Sequence, residues 1–128
     1  GGAARAAVVA MKSSGASVCI AARNTDQATE LANELSCEVA TEQLDNIDTV
    51  INCTPVGMQG GEDPDSDPLM QLAPTLELSD SIRVVDFVYA PRQTPLIQRA
   101  EEIGCKTVCG DALFHAQAAL QTQFWSTT

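Results

Sequence analysis

The sequence predicts an α/β fold: a Rossmann-like, doubly wound parallel sheet in three layers, with helices on both faces. Short apolar runs without polar alternation indicate strands that are buried on both sides. Segments with apolar residues at helical spacing alternate with these runs, as expected for successive βαβ units. The chain has 128 residues, 45% of them hydrophobic, which suits the core of one domain.

The first half of the chain predicts two helices and three strands. The first helix is rich in alanine and stops at Gly15, and Asn24 or Thr25 caps the second. The predicted elements are a helix over 3–14, a buried strand over 17–22, a helix over 27–35, a short strand over 37–40 and a strand over 48–53.

The second half begins with a loop over 59–68 that holds two glycines, two prolines and four acidic residues. This composition predicts a mobile acidic loop. Pro95 in a first turn and Gly104 at a helix end mark the next helix. The remaining predicted elements are a strand over 81–89, a helix over 94–103, a short edge strand over 106–109 and a last helix over 113–125.

The chain starts at Gly1-Gly2, which runs directly into the first helix like the end of a phosphate-binding turn. Such a turn normally follows a buried strand that is central in the sheet. We therefore expect residues 1–128 to be a partial domain whose first strand is missing from the chain as given and exists in the natural protein.

The composition argues against nucleic-acid and membrane partners and against a zinc site. A net charge of −10 and a pI of about 4.2 argue against nucleic acid and anionic membranes. No signal peptide and no apolar run long enough for a membrane span is apparent. The five cysteines fit no zinc spacing and His115 is the only histidine, which predicts no metal and reduced thiols in a cytoplasmic protein.

Candidate functional residues lie beyond the carboxyl ends of the predicted strands, where doubly wound folds bind ligands. Gly1 and Gly2 would let a pyrophosphate approach the amino end of the first helix. Arg23 follows the predicted strand over 17–22, at the position where a dinucleotide-binding fold meets the adenosine ribose. An arginine at this position indicates a cofactor with a 2′-phosphate, and an acidic residue indicates one with a 2′-hydroxyl. Asn24 and Thr25 add polar groups beside it.

Other polar residues have weaker interpretations. The turn over 52–58 lies where ribose and nicotinamide would pass, and Tyr89 can present its hydroxyl to a ligand. Asp86, inside a strand pattern, is interpreted as structural. Gln117 on the last helix is either a ligand contact or a solvent-facing residue, and His115 has no evident catalytic partner.

Together these segments resemble the NADP-binding, C-terminal domain of the shikimate dehydrogenase and quinate/shikimate dehydrogenase family. The resemblance is most specific in Thr-Pro-Val-Gly-Met over 54–58 and in Val-Tyr-x-Pro-x-x-Thr-Pro-Leu over 88–96. The other matching stretches are Gly-Gly-Ala-Ala-Arg-Ala over 1–6, Ala-Arg-Asn-Thr over 22–25, Gly-Asp-Ala-Leu-Phe-His-Ala-Gln-Ala-Ala over 110–119 and Phe124-Trp125.

The resemblance implies site residues and an activity. It implies NADP as cofactor, in the reduction of 3-dehydroshikimate to shikimate within aromatic amino-acid biosynthesis. Arg23 would hold the 2′-phosphate, and Tyr89 and Gln117 would reach the substrate. The implied cofactor contacts are Gly1, Gly2 and Ala3 at the diphosphate, Ala22, Asn24 and Gln27 on the adenosine side, Thr54 in the turn, and Phe87 and Gly110 near the nicotinamide.

The chain departs from the family pattern in ways that affect the cofactor and the reaction. Ala22 stands where the family commonly has asparagine, and Gln27 where a second basic residue is common, so the phosphate clamp is weakened. In the family, the catalytic Lys and Asp belong to a separate N-terminal domain. We therefore expect no catalytic residue here, a substrate shared with that domain, and no turnover by this chain alone.

Two alternatives stay open at the sequence level. One is a non-catalytic nucleotide-binding or regulatory module that kept the fold. The other is a quinate dehydrogenase domain, because the choice between shikimate and quinate is made mostly in the other domain. A methylene-tetrahydrofolate dehydrogenase is disfavoured by the Val-Tyr-x-Pro run and the helix of Gln117. The sequence predicts no oligomeric state.

Overall fold

The computed structural model describes residues 2–110, in which helices and parallel strands alternate. Gly1 and the predicted last helix, with His115 and Gln117, lie outside the described residues. The elements are α1 (Gly2–Ser13), β1 (Cys19–Ile20), α2 (Thr25–Leu35), β2 (Glu38–Val39), β3 (Thr49–Asn52), α3 (Pro68–Leu72), β4 (Arg83–Asp86), α4 (Pro95–Ile103) and β5 (Lys106–Val108).

Every strand pairing in residues 2–110 is parallel, which confirms the predicted α/β class. β1 pairs with β2, and a three-stranded sheet has the order β3-β4-β5. In that sheet Asn52 lies opposite Asp86, so two polar side chains meet at the carboxyl ends of β3 and β4. β5 lies at the sheet edge, as predicted.

The sheet is in two pieces, because no strand ladder joins β1 to β3 within the described residues. Each of these two strands therefore pairs with another strand on one side only. In a doubly wound fold, the strand before the first helix lies between these two positions. The expectation of a strand before the first helix stays a prediction.

Capping residues explain where two of the helices begin and end. Asn24 caps α2 by accepting a hydrogen bond from the Gln27 backbone N–H at 3.1 Å, which confirms one of the two predicted caps. Thr94 caps α4 in the same way through the Ile97 N–H at 3.2 Å. Gly104 ends α4 with a φ of 100°, a left-handed conformation that glycine adopts without strain.

α3 was not predicted, since residues 59–68 are interpreted as a loop and residues 69–80 carry no predicted element. The helix begins at Pro68, and the Asp67 carboxylate accepts from the Leu69 N–H at 2.8 Å. An aspartate cap followed by proline at the first helical position was a signal that could have located it. Asp67 also pairs with Arg99 of α4, with 2.8 Å between Nε and Oδ2.

Several strands are shorter than predicted. The run over 81–89 predicts one strand, but β4 ends at Asp86: the Phe87 N–H still donates to the Asn52 carbonyl at 3.0 Å, and the ladder stops after it. Val88 donates its N–H to the Asp86 side chain at 3.0 Å instead of to a neighbouring strand. The apolar residues beyond Asp86 therefore belong to the loop at the carboxyl edge of the sheet.

The core lies between α4, α3 and the three-stranded sheet. Val84 of β4 and Leu96, Ile97 and Ala100 of α4 have no exposed surface, and Leu69 brings α3 against them. The same packing holds the short α3 in place beside α4. None of the described helices has the length and apolar character to cross a membrane.

Replacing Leu96 with alanine is expected to lower the free energy of unfolding by about 2–5 kcal/mol, because it opens a cavity in this core. Urea unfolding followed by circular dichroism measures the loss. Ile103→Ala, at an exposed position of the same helix, serves as the control and should cost much less. Equal losses in the two variants would contradict the placement of the core.

Candidate functional site

A cavity of about 560 Å³ lies just beyond the carboxyl end of β1. Ala22 and Arg23, which follow this strand closely in sequence, form one side of it. Asp63, Gln71 and Leu72 form the other side, from the acidic loop and α3. The cavity is thus at the strand end where ligand residues were expected, and three of its five lining residues come from segments that the sequence did not connect to Arg23.

Arg23 presents its guanidinium to this cavity and binds two side chains there. Its Nη2 donates to Asp63 Oδ2 at 3.2 Å and to Gln71 Oε1 at 3.1 Å. The Arg23 side chain is nevertheless 66% exposed, so an anion can reach it. Asp63 and Gln71 are 40 and 48 residues away in sequence, and no local pattern indicated that they would meet Arg23.

The other predicted adenosine-side residues lie around Arg23 at the start of α2. Ala22 is half-buried, while Asn24 and Gln27 are exposed. The side-chain carbonyl oxygen of Asn24 accepts the hydrogen bond of the helix cap, its amide nitrogen is a donor that the cap does not use, and its cofactor role stays a prediction. The structure therefore brings Ala22, Arg23, Asn24 and Gln27 together.

The predicted diphosphate residues lie at the amino end of α1. Gly2 and Ala3 are exposed, and a Cβ added at Gly2 would meet nothing within 4 Å. The first turn of α1 carries no acidic residue. No acidic side chain of the first turn would therefore oppose an anion at this helix end, and the cofactor role of these residues stays a prediction.

Basic side chains fix α1 against α2. Arg5 pairs with Glu34, and Lys12 donates through Nζ to the carbonyls of Leu35 and Ser36 at 2.6 and 2.7 Å. Lys12 thus neutralises the carbonyl end of α2.

A buried polar network joins the carboxyl ends of β3 and β4 to the start of α4. Asp86, which has no exposed surface, accepts three hydrogen bonds. Asn52 Nδ2 and the Val88 N–H donate to Oδ1, both at 3.0 Å, and Thr94 Oγ1 donates to Oδ2 at 2.7 Å. The interpretation of Asp86 as structural agrees with these contacts.

Thr54, predicted as a cofactor contact, has its hydroxyl engaged within the turn. Its Oγ1 donates to Asn52 Oδ1 at 2.6 Å and accepts from the Val56 N–H at 3.2 Å. The structure therefore gives Thr54 a role in shaping the turn, and its cofactor role stays a prediction. Burial raises the pKa of the neighbouring Cys53 thiol, so this cysteine is not an activated nucleophile.

Gly57 connects this turn to the acidic loop. Its φ is 94°, and its backbone N–H donates to the Asp63 carbonyl at 2.8 Å. A Cβ at this position would also lie 3.5 Å from the Thr94 Cβ. The backbone of Asp63 is thus held by the turn after β3, although its side chain reaches the cavity after β1.

The two residues predicted near the nicotinamide, Phe87 and Gly110, are in contact. A Cβ built on Gly110 would collide with the Val88 carbonyl oxygen and lie 2.6 Å from that of Phe87. Only glycine permits this approach. Of the predicted substrate contacts, Tyr89 is exposed at the same edge of the sheet, and Gln117 lies outside the described residues.

The known proteins most informative about this chain are shikimate dehydrogenases (NADP+). The protein of Methanocella arvoryzae is 38% identical over 98% of the chain and 48% of its own length. That of Natronomonas pharaonis is 32% identical over 98% of the chain and 47% of its own length. No protein-family model matches the chain.

Solved structures agree with these sequence relatives. A shikimate 5-dehydrogenase-like protein matches the whole chain with a TM-score of 0.81 and 29% identity, over 47% of its own chain. The Thermus thermophilus shikimate 5-dehydrogenase, solved with NADP(H) and shikimate, matches it with a TM-score of 0.80 and 28% identity, also over 47%. The chain is therefore similar to shikimate dehydrogenases over almost its whole length, and it spans about half the length of the curated relatives it matches.

Burial raises the pKa of Asp86, and its three hydrogen bonds offset this only in part. A raised pKa means that the folded state binds the proton more tightly than the unfolded state, whose carboxyl titrates near its ordinary value of 3.8. The stability that this proton contributes is therefore present at acid pH and is lost as the pH rises through the folded pKa.

Asp86→Ala should lower the free energy of unfolding by about 3 kcal/mol or more, because it leaves three buried donors without an acceptor. Asp86→Asn, which keeps the shape and has no charge, should cost less. The stability of wild type relative to Asp86→Asn should fall as the pH rises above 3.8, the ordinary pKa of this carboxyl, as measured by urea unfolding. A relative stability that increased with pH would contradict the assigned shift.

Proposed function

We propose that this chain is the NADP-binding domain of a shikimate dehydrogenase that reduces 3-dehydroshikimate in aromatic amino-acid biosynthesis. The observation that carries the proposal is the exposed guanidinium of Arg23 in a cavity at the carboxyl end of β1. In a doubly wound fold this is where the adenosine ribose binds, and an arginine there pairs with a 2′-phosphate. The similarity to NADP-dependent relatives supports the same function.

The described residues fit this cofactor. An accessible cation, an amide donor on Asn24 and the open amino end of α1 suit a 2′-phosphate, a ribose and a diphosphate respectively. Gly110 and the Phe87 carbonyl, both assigned to the nicotinamide side, approach each other closely, which supports assigning them to one site. The proposed cofactor residues are Gly1, Gly2, Ala3, Ala22, Arg23, Asn24, Gln27, Thr54, Phe87 and Gly110.

When bound, NADPH supplies the hydride that reduces the ring ketone. The residues of this chain hold and orient the cofactor and contribute substrate contacts through Tyr89 and Gln117. The proton of the reaction comes from groups outside residues 1–128, in the N-terminal domain that the family resemblance implies. The substrate is thus shared between the two domains of a cytoplasmic enzyme, and this chain alone is a partial domain without turnover.

Arg23→Ala should weaken NADPH binding by about 10-fold to 100-fold, because a charge-assisted contact to the 2′-phosphate is lost. NADH, which has no such phosphate, should bind the variant and wild type alike in isothermal titration calorimetry. Arg83→Ala, which removes an exposed arginine at the start of β4, is the matched control. Equal weakening by both substitutions, or wild type that binds NADH as tightly as NADPH, would refute the assignment of Arg23.

Purified chain of residues 1–128 should oxidise shikimate with NADP+ at no rate above the uncatalysed background, because the proton-transferring residues lie elsewhere. Absorbance at the NADPH band measures the rate. Adding the separately produced N-terminal half of a relative is an informative control for complementation. Clear turnover by the chain alone would show that it carries its own catalytic group.

A further inference from the structure

We propose that Asp63 is a specificity-determining residue, which lowers the preference of the Arg23 cavity for a 2′-phosphate over a 2′-hydroxyl. The inference rests on the proposed nucleotide site and concerns how that site chooses its ligand. Asp63 Oδ2 lies 3.2 Å from Arg23 Nη2, so the only cation that residues 2–110 contribute to the cavity lining already has an anionic partner.

A backbone hydrogen bond fixes the position of Asp63 within its loop. The Asp63 carbonyl accepts from the Gly57 N–H at 2.8 Å, in the turn that the buried Asn52 side chain organises. Gln71 of α3 accepts a hydrogen bond from the same guanidinium nitrogen of Arg23 at 3.1 Å. The Gly57 contact thus holds the backbone of Asp63, and Gln71 holds the guanidinium with which the Asp63 carboxylate pairs.

A dianionic 2′-phosphate must compete with this carboxylate. To bind the phosphate, Arg23 must give up its contact to Asp63, and the phosphate then lies near a second negative charge. A 2′-hydroxyl has no such conflict, because Arg23 and Asp63 can stay paired while the carboxylate accepts from the hydroxyl. Within the described residues, Asp63 Oδ1 has no hydrogen-bond donor of its own and is available for that contact.

The competition is expected to be moderate, because the ion pair is exposed. The Arg23 and Asp63 side chains are 66% and 36% exposed, and such pairs are weak and screened by salt. The carboxylate therefore lowers the preference of the site for a 2′-phosphate without preventing the phosphate from binding. Its effect adds to the loss of a second basic residue at Gln27, so the chain combines an NADP-type arginine with an NAD-type acid.

The experiment compares the dissociation constants of adenosine 2′,5′-bisphosphate and 5′-AMP for the purified protein, by calorimetry at low ionic strength. For Asp63→Asn, we expect the bisphosphate to bind about two- to five-fold more tightly than to wild type. Binding of 5′-AMP should be unchanged or weaker. The bisphosphate advantage should shrink at high salt, since the interaction is between exposed charges.

Asp65→Asn is the matched control, because it removes the same charge from an exposed position two residues along the loop. Equal gains in the two variants would mean a general charge effect and would overturn the role of Asp63. No gain in Asp63→Asn, with bisphosphate binding that still depends on Arg23, would overturn it while leaving the proposed function intact. Binding that is absent, or unaffected by Arg23→Ala, would overturn both.

Discussion

The buried carboxylate of Asp86 is the interaction on which the rest of the described structure depends. It lies at the end of β4, and its three donors come from β3, from the loop after β4 and from the cap of α4. A parallel sheet leaves the carboxyl ends of its strands without turns that join neighbours. Here one side chain makes that connection, and its charge is held in the interior only because every donor is in place.

Further hydrogen bonds connect the Asp86 network to the surface cavity beside Arg23. Asn52 binds Asp86 through its amide nitrogen and shapes the next turn through its amide oxygen, which accepts from Thr54. The turn ends at Gly57, whose N–H holds the backbone of Asp63. A continuous set of hydrogen bonds thus links a fully buried acid of one sheet to Arg23 beside the other, and it couples the precision of the site to the packing of the core.

The sequence predicted features that depend on local chemistry. Parallel strands, the Asn24 cap, the Gly104 stop and a ligand cavity beside Arg23 all follow from residue types at short spacing. It did not predict α3, since five residues are too few for a periodic pattern. Nor did it predict Asp63 and Gln71 at Arg23, because those contacts depend on how loops from different strands pack together. The engagement of the Thr54 hydroxyl is local to its turn and was missed as well.

Gly110 has a consequence for how this domain diverges over evolutionary time. Because even one methyl group there would overlap two carbonyl groups of the neighbouring loop, the position is closed to substitution unless that loop moves. Selection for folding alone therefore keeps the glycine, whether or not a descendant still uses a nucleotide. A lineage that abandoned the chemistry would lose Arg23 freely and keep Gly110, so the arginine is the better record of retained activity.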